Sequence, residues 1–138
     1  MSVIDGSMIK LLERMLDVST KRESAISSNI ANIDTPGYQT KDVDFEEAMK
    51  AADGMLQKRG LGLETTEQGH LGGSNDASLA QFEFEPSGLT RRNDLNNVSI
   101  DREMLALATT AGRYGAAIEL IRKRFALIKY AVMDGRSG

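Results

Sequence analysis

Between residues 104 and 132 the chain reads MLALATTAGRYGAAIELIRKRFALIKYAV, and within it Met104, Leu107, Ala111, Tyr114, Ile118, Ile121, Phe125, Ile128 and Val132 recur in steps of three and four. That spacing keeps all of them on one stripe of an α-helix, the heptad pattern of helices that wrap around partners. A second, rougher seam opens the chain at Ile4, Met8, Leu11, Met15, Val18 and Ala25. Together the seams predict a mainly α protein in which long N- and C-terminal helices pack as an antiparallel, coiled-coil-like pair. A short helix and a small irregular, partly β region lie between them. Terminal helices of this length, with so little between them, suit assembly better than catalysis.

With 138 residues the chain has room for one domain. We divide it into an N-terminal helix (1–35), a turn, short helix and irregular middle (36–98), and a C-terminal helix (99–134). Aromatic residues are 5% of the sequence and tryptophan is absent. A core must therefore come mainly from Leu, Ile, Met and Ala. The net charge of −3 is mild, and acids and bases are interleaved. Nucleic-acid binding needs clustered positive charge, so it is disfavoured. The densest basic group, Arg122, Lys123, Arg124 and Lys129, reads as a solvated helix face that suits the negative end of the helix dipole. Cysteine is absent, which excludes disulfides and thiolate metal sites. No apolar run approaches the roughly 20 residues needed to cross a bilayer. Asp5, Glu13 and Arg14 interrupt any apolar core of a secretory leader, so a protein that leaves the cytoplasm must use another route.

The first helix is expected to run to about Ile33. Pro36 then stops it, and Thr35-Pro36-Gly37-Tyr38 reads as a type II turn in which Pro fixes one φ and Gly supplies the next, positive one. Arg22, Asn29 and Asn32 fall where seam residues would be apolar. Polar residues there mark either a weakly packed, exposed stretch or a pin that fixes register. Asp44 caps a short helix ending at Gly54, with Phe45 and Met49 as its docking side chains. The alternation Gln81-Phe82-Glu83-Phe84-Glu85, bounded by Pro86-Ser87-Gly88, suggests one short strand. Ser99 suits the N-cap of the last helix, with Asp101 and Glu103 in its first turn; Arg102 breaks the strict capping box.

Candidate chemistry is thin. His70 is the sole histidine, and no further ligands stand at a metal-binding spacing around it. The glycines from Gly69 to Gly73 are not followed by the Gly-Lys-Ser/Thr of a phosphate loop. The acidic run Asp42, Asp44, Glu46 and Glu47 is better explained by capping and solvation than by acid–base work. No residue is assigned a catalytic, cofactor-binding or metal-binding role.

The segment Ser28-Asn29-Ile30-Ala31-Asn32-Ile33-Asp34-Thr35-Pro36-Gly37-Tyr38 closely resembles the signature of flagellar rod and hook proteins, roughly Asn-(Ile/Leu)-Ala-Asn-x-x-Thr-Pro-Gly-(Tyr/Phe). Within that axial family the short length resembles the proximal rod. So do Asp42-Val43-Asp44-Phe45 after the turn, Asn96-Asn97-Val98-Ser99-Ile100-Asp101-Arg102-Glu103-Met104, and the ending Arg124-Phe125-Ala126-Leu127-Ile128-Lys129-Tyr130-Ala131-Val132. Likeness is weakest from Gly54 to Arg92, and Ile33 and Gly115 are mild departures.

The resemblance implies a structural rod subunit that assembles helically into the flagellar drive shaft across the periplasm, exported through the flagellar type III apparatus without a cleaved leader. Its implied partners are copies of itself, other proximal and distal rod proteins, and the rod-base adaptor at the export gate and MS ring. Asn29, Ala31, Asn32, Thr35, Pro36, Gly37 and Tyr38 then form an assembly motif. Met8, Leu11, Met15, Val18 and the seam from Met104 to Val132 are the expected subunit-packing residues. Such a monomer would have mobile termini that become helical when copies pack together. The alternatives are the other short proximal-rod protein and, from a different class, a helical adaptor or export chaperone.

Overall fold

Helix α1 (Gly6–Ala31) and helix α3 (Ile100–Asp134) form the body of the protein and pack against each other along their lengths. The computed structural model describes residues 6–51 and 79–134. At about 1.5 Å per residue α3 is roughly 52 Å long. The end of α1 meets the start of α3, so the pair is antiparallel and the predicted architecture is the observed one. Between them stand strand β1 (Asp42–Val43), helix α2 (45–51), a 3₁₀ turn (Ala80–Phe82) and strand β2 (Glu83–Phe84).

The predicted strand over 81–85 is shorter and has a partner the alternation did not reveal. Asp42 pairs with Phe84 and Val43 with Glu83 in an antiparallel ribbon, and Asp44 N–H extends the ladder to the Phe82 carbonyl at 2.8 Å. Because the chain is 3₁₀ up to Phe82, the two phenylalanines part company: Phe82 is buried and Phe84 exposed. Phe82 joins Val18, Val43, Ala48 and Leu79 in the core, with Ala25, Phe45 and Ala51 packed against it. Two arginines flank this cluster, Arg113 at 4.4 Å from the Phe45 ring centre and Arg14 at 5.9 Å from that of Phe82.

Local signals set the helix ends. Asp44 Oδ1 accepts the Glu47 N–H at 2.9 Å, which makes it the N-cap of α2. Gly54, His70 and Gly69 to Gly73 lie outside the described residues. α1 stops at Ala31, two residues short of the expected end, because the next amides turn tighter: Asn32 N–H is shared between the Ser28 and Asn29 carbonyls, and Ile33 N–H bonds Ile30 O. The Tyr38 N–H then bonds Thr35 O at 3.3 Å with Gly37 at φ +73°, the geometry expected of a type II turn.

The seam of α3 that meets α1 is offset from the apolar heptad. Glu103, Thr110 and Ala117 are buried, and with half-buried Leu107, Tyr114, Ile121, Arg124 and Ile128 they make the inward stripe. Ile118 is half-buried beside it, while Met104, Ala111, Phe125 and Val132 are exposed. In α1 the buried positions are Leu12, Val18, Ser19, Ile26 and Asn29; Leu11 and Met15 are half-buried, and Met8 is 47% exposed. Seven-residue steps through 103, 110, 117 and 124 show why: the inward stripe keeps the period of the apolar pattern but fills half its positions with small or polar residues.

A candidate assembly site at the helix junction

Asn29 is 1% exposed and uses its full hydrogen-bonding capacity. Its Nδ2 donates to Lys41 O at 2.7 Å and to Glu103 Oε2 at 2.9 Å. Its Oδ1 accepts Lys41 N–H at 3.0 Å and the Tyr38 hydroxyl at 3.2 Å. With its proton committed to Asn29, the Tyr38 hydroxyl is left to accept from Ser28 Oγ at 3.1 Å. One side chain thus ties α1 to the strand entry, the turn and α3. Of the two roles that a polar seam residue allows, Asn29 has the pinning one. Arg22 is likewise engaged, holding both carboxylate oxygens of Asp42 at 2.8 and 2.9 Å, a bidentate pairing that also carries directional strength.

Glu103 is 3% exposed, and burial pushes its pKa above the ordinary glutamate value. The Asn29 amide opposes that rise, as do the nearby Arg102 and Arg22, whereas Asp42 adds to it. Asp101 and Glu103 both stand in the first turn of α3, as the sequence predicts; Asp101 is exposed, and Glu103 in addition turns inward to meet Asn29.

The rest of the motif closes the end of α1. Asn32 Nδ2 reaches back to Ser28 O, and Thr35 Oγ1 donates to Asn32 Oδ1 at 3.1 Å. From the approach to α3, Asn96 Nδ2 caps two carbonyls, Asn32 O at 2.9 Å and Thr35 O at 2.7 Å, and Arg92 Nη2 bonds Ile33 O. Asn97 Oδ1 accepts both the amide and the hydroxyl of Thr40, and Gly37 N–H bonds Asp94 O at 2.8 Å. Orphan carbonyls at a helix end need such partners when water is kept out. Ala31, Thr35, Pro36 and Gly37 are exposed, although Thr35 and Gly37 still take part in this hydrogen bonding, whereas Asn29 is buried and Asn32 and Tyr38 are half-buried.

Asn96 and Asn97 escaped the sequence reading as site residues. The signal available was their place, two amides just before a helix N-cap, where side-chain hydrogen bonding to backbone is favoured. Leu95 beside them has φ +66° and is 60% exposed. For a leucine that conformation costs about 1 to 2 kcal/mol. It is held by Leu95 N–H to Arg92 O and Arg92 N–H to Asn96 O.

The acidic run near the turn is accounted for by structure: Asp42 pairs with Arg22, Asp44 caps α2 and Glu46 bonds Lys50 at 2.8 Å. Among the described residues no group of three or more His, Asp or Glu is placed to hold a metal ion, and no helix is long and apolar enough to cross a membrane.

A helix pair joined by this motif defines the class: residues 21–39, which span Arg22, Asn29 and the turn, match the family model described as flagella basal body rod protein. The chain is 31% identical over 137 residues to the flagellar basal body rod protein FlgB of Bacillus subtilis (strain 168), an alignment covering 99% of this chain and 100% of that one. It is 31% identical over 112 residues to the FlgB of Aeromonas hydrophila, covering 79% and 80%. With the FlgB of Borreliella burgdorferi it shares 36% identity over 106 residues, covering 73% and 77%. The chain belongs to the FlgB family of flagellar basal body rod proteins.

Proposed function

We propose that this chain is a non-enzymatic subunit of the proximal rod, which assembles helically with its own copies and other rod proteins into the shaft that carries motor torque across the periplasm. The observation that supports this reading is the outer surface of α3. Phe125, Leu127, Tyr130, Val132 and Met133 are each more than half exposed on one helix end. A helix that is apolar around much of its circumference is stable when neighbours cover it. The junction motif fixes how α1 and α3 present that surface, and heterologous contacts that do not close build an open helical assembly. Export through the flagellar type III apparatus and contacts with the rod-base adaptor at the export gate complete the proposal.

The test is genetic. Deleting the chain should abolish rods and swimming, and the intact chain should restore both. Phe125→Asp places a charge on the outer face of α3 without touching the inward seam. Cells carrying it should export the subunit yet fail to build a rod. Normal swimming with that variant would refute the packing role of this face, and normal rods in the deletion strain would refute the rod reading itself.

A further inference from the structure

The helix junction closes around a carboxyl group that no ion pair neutralises. Glu103 is buried, and among the described residues no salt bridge joins it to a basic side chain. Its bond is to a neutral group, the Asn29 amide, whose Nδ2 donates to Oε2 at 2.9 Å. From α1 the nearby cation is Arg22, which is already bound to both carboxylate oxygens of Asp42. From β1, Asp42 itself brings a like charge. On α3 the nearby cation is Arg102, and its Nη1 is buried without a hydrogen-bond partner. Tyr38 in the turn meets Glu103 through Asn29, and Lys41 is exposed and meets Asn29 through its backbone.

A buried carboxylate without an ion-pair partner loses more hydration than one amide returns, so the closed site favours the neutral acid. A proton on Oε1 leaves Oε2 to accept from Asn29, and the bond survives while the charge is removed. The ionised group regains solvation when the first turn of α3 moves off α1 and admits water. A pivot for that motion is in place. Asn96 Nδ2 holds Asn32 O and Thr35 O, and Asn97 Oδ1 holds the amide and hydroxyl of Thr40, so the approach to α3 is attached to the turn independently of Glu103. Asn29, by contrast, shares its bonds among Glu103, Lys41 and Tyr38, so whatever loosens it loosens the strand entry as well.

We propose that Glu103 is a proton-operated latch: protonated, it holds the first turn of α3 shut on Asn29; ionised, it lets that turn swing about the Asn96 and Asn97 anchor and loosens the Lys41 and Tyr38 bonds with it. The release is local, and it does not depend on the rod-subunit reading. Burial raises the pKa of Glu103 in the closed state above the ordinary glutamate value that it has once the turn opens. The preference for the closed state is therefore fully present below the ordinary value, is lost as pH rises through the raised one, and is level above it. The setting of α3 against α1 thus responds to pH.

Amide hydrogen exchange of the full chain, followed by NMR, locates the opening. The Lys41 N–H, bonded to Asn29 Oδ1, reports the latch; the Thr40 N–H, bonded to Asn97 Oδ1, reports the anchor one residue away. After correction for the intrinsic exchange rate, Lys41 protection should be roughly threefold or more lower at pH 7 than at pH 4, while Thr40 protection stays level. Glu103→Gln keeps an acceptor for Asn29 and removes the titration, so its Lys41 protection should be the same at both pH values. Should that variant not fold, the contrast between Lys41 and Thr40 in the unaltered chain still decides. Lys41 protection that does not change with pH, or that changes equally in Glu103→Gln, would overturn the latch. So would Thr40 protection that falls in step with Lys41, because the whole junction would then be opening.

Discussion

The two ends of the helix pair solve opposite problems. Where α1 runs out, each exposed end of the backbone is closed from inside the chain: Asn29, Asn32, Asn96 and Asn97 distribute hydrogen bonds across the turn, the strand entry and α3. Where α3 runs out, the opposite holds, for its inward contact is narrowed to Ile121, Arg124 and Ile128 while Phe125, Leu127 and Tyr130 face outward. At the first end the backbone is bonded from within the chain. At the second the apolar side chains stay open within the subunit. The same helix is therefore firmly placed at its start and carries exposed apolar surface at its end.

That contrast breaks most readily at Asn29. Replacing it with leucine leaves Lys41 N–H, Lys41 O, Tyr38 OH and Glu103 without their common partner, and each unsatisfied buried group costs about 1 to 3 kcal/mol. Urea denaturation should show a loss of about 3 kcal/mol or more. A loss below 1 kcal/mol would mean that the junction does not hold the pair in register.

Gly37→Val comes next. No atom lies within 4 Å of the Cβ it would add, so the expected penalty of about 1 to 2 kcal/mol is that of the positive φ alone. Gly37→Asn should recover part of it, since asparagine tolerates that region. Thermal unfolding of the two variants side by side separates backbone strain from crowding.

Glu103 gives a smaller, pH-dependent effect. Because its folded pKa is raised, the folded state holds the proton more tightly than the unfolded chain does. Stability should therefore fall as pH rises from the ordinary glutamate value through the raised one, and stay level above it. In Glu103→Gln that step should vanish, with the amide oxygen still able to accept from Asn29. A variant that keeps the step would assign it to another group.

The smallest expected change in monomer stability belongs to the outer face. Phe125→Ser should alter unfolding by no more than about 0.5 kcal/mol, as exposed substitutions do. Its effect should appear instead in assembly. Loss of several kcal/mol in the isolated chain would show that Phe125 is covered internally.

Much of this plan was legible in the sequence because periodicity and punctuation agree: the heptad period placed α3, Pro36 and Gly37 placed the turn, and Asp44 placed α2. What escaped was the phase of the α3 seam. Apolar residues mark every surface a helix buries, whether against its own chain or a neighbour, so Met104, Phe125 and Val132 looked equivalent to Leu107 and Ile121. The inward positions Glu103, Thr110 and Ala117 look unremarkable, since small and polar residues carry little hydrophobic signal. Strand β1 was missed because two residues are too few to show alternation, and Phe82 was placed in a strand because a 3₁₀ turn can also bring one phenylalanine inward. At the junction the motif marked Asn29 and Tyr38, but the pairing of Asn29 with Glu103, 74 positions along the chain, is visible in three dimensions alone.

The central claim is that the outward face at the end of α3 is open in the free subunit and covered in the rod. The chain has no cysteine, so Tyr130→Cys creates a single thiol at a position 73% exposed in the subunit. Maleimide should label it rapidly in the purified monomer and far more slowly in isolated basal bodies. Equal labelling in the two states would contradict the account.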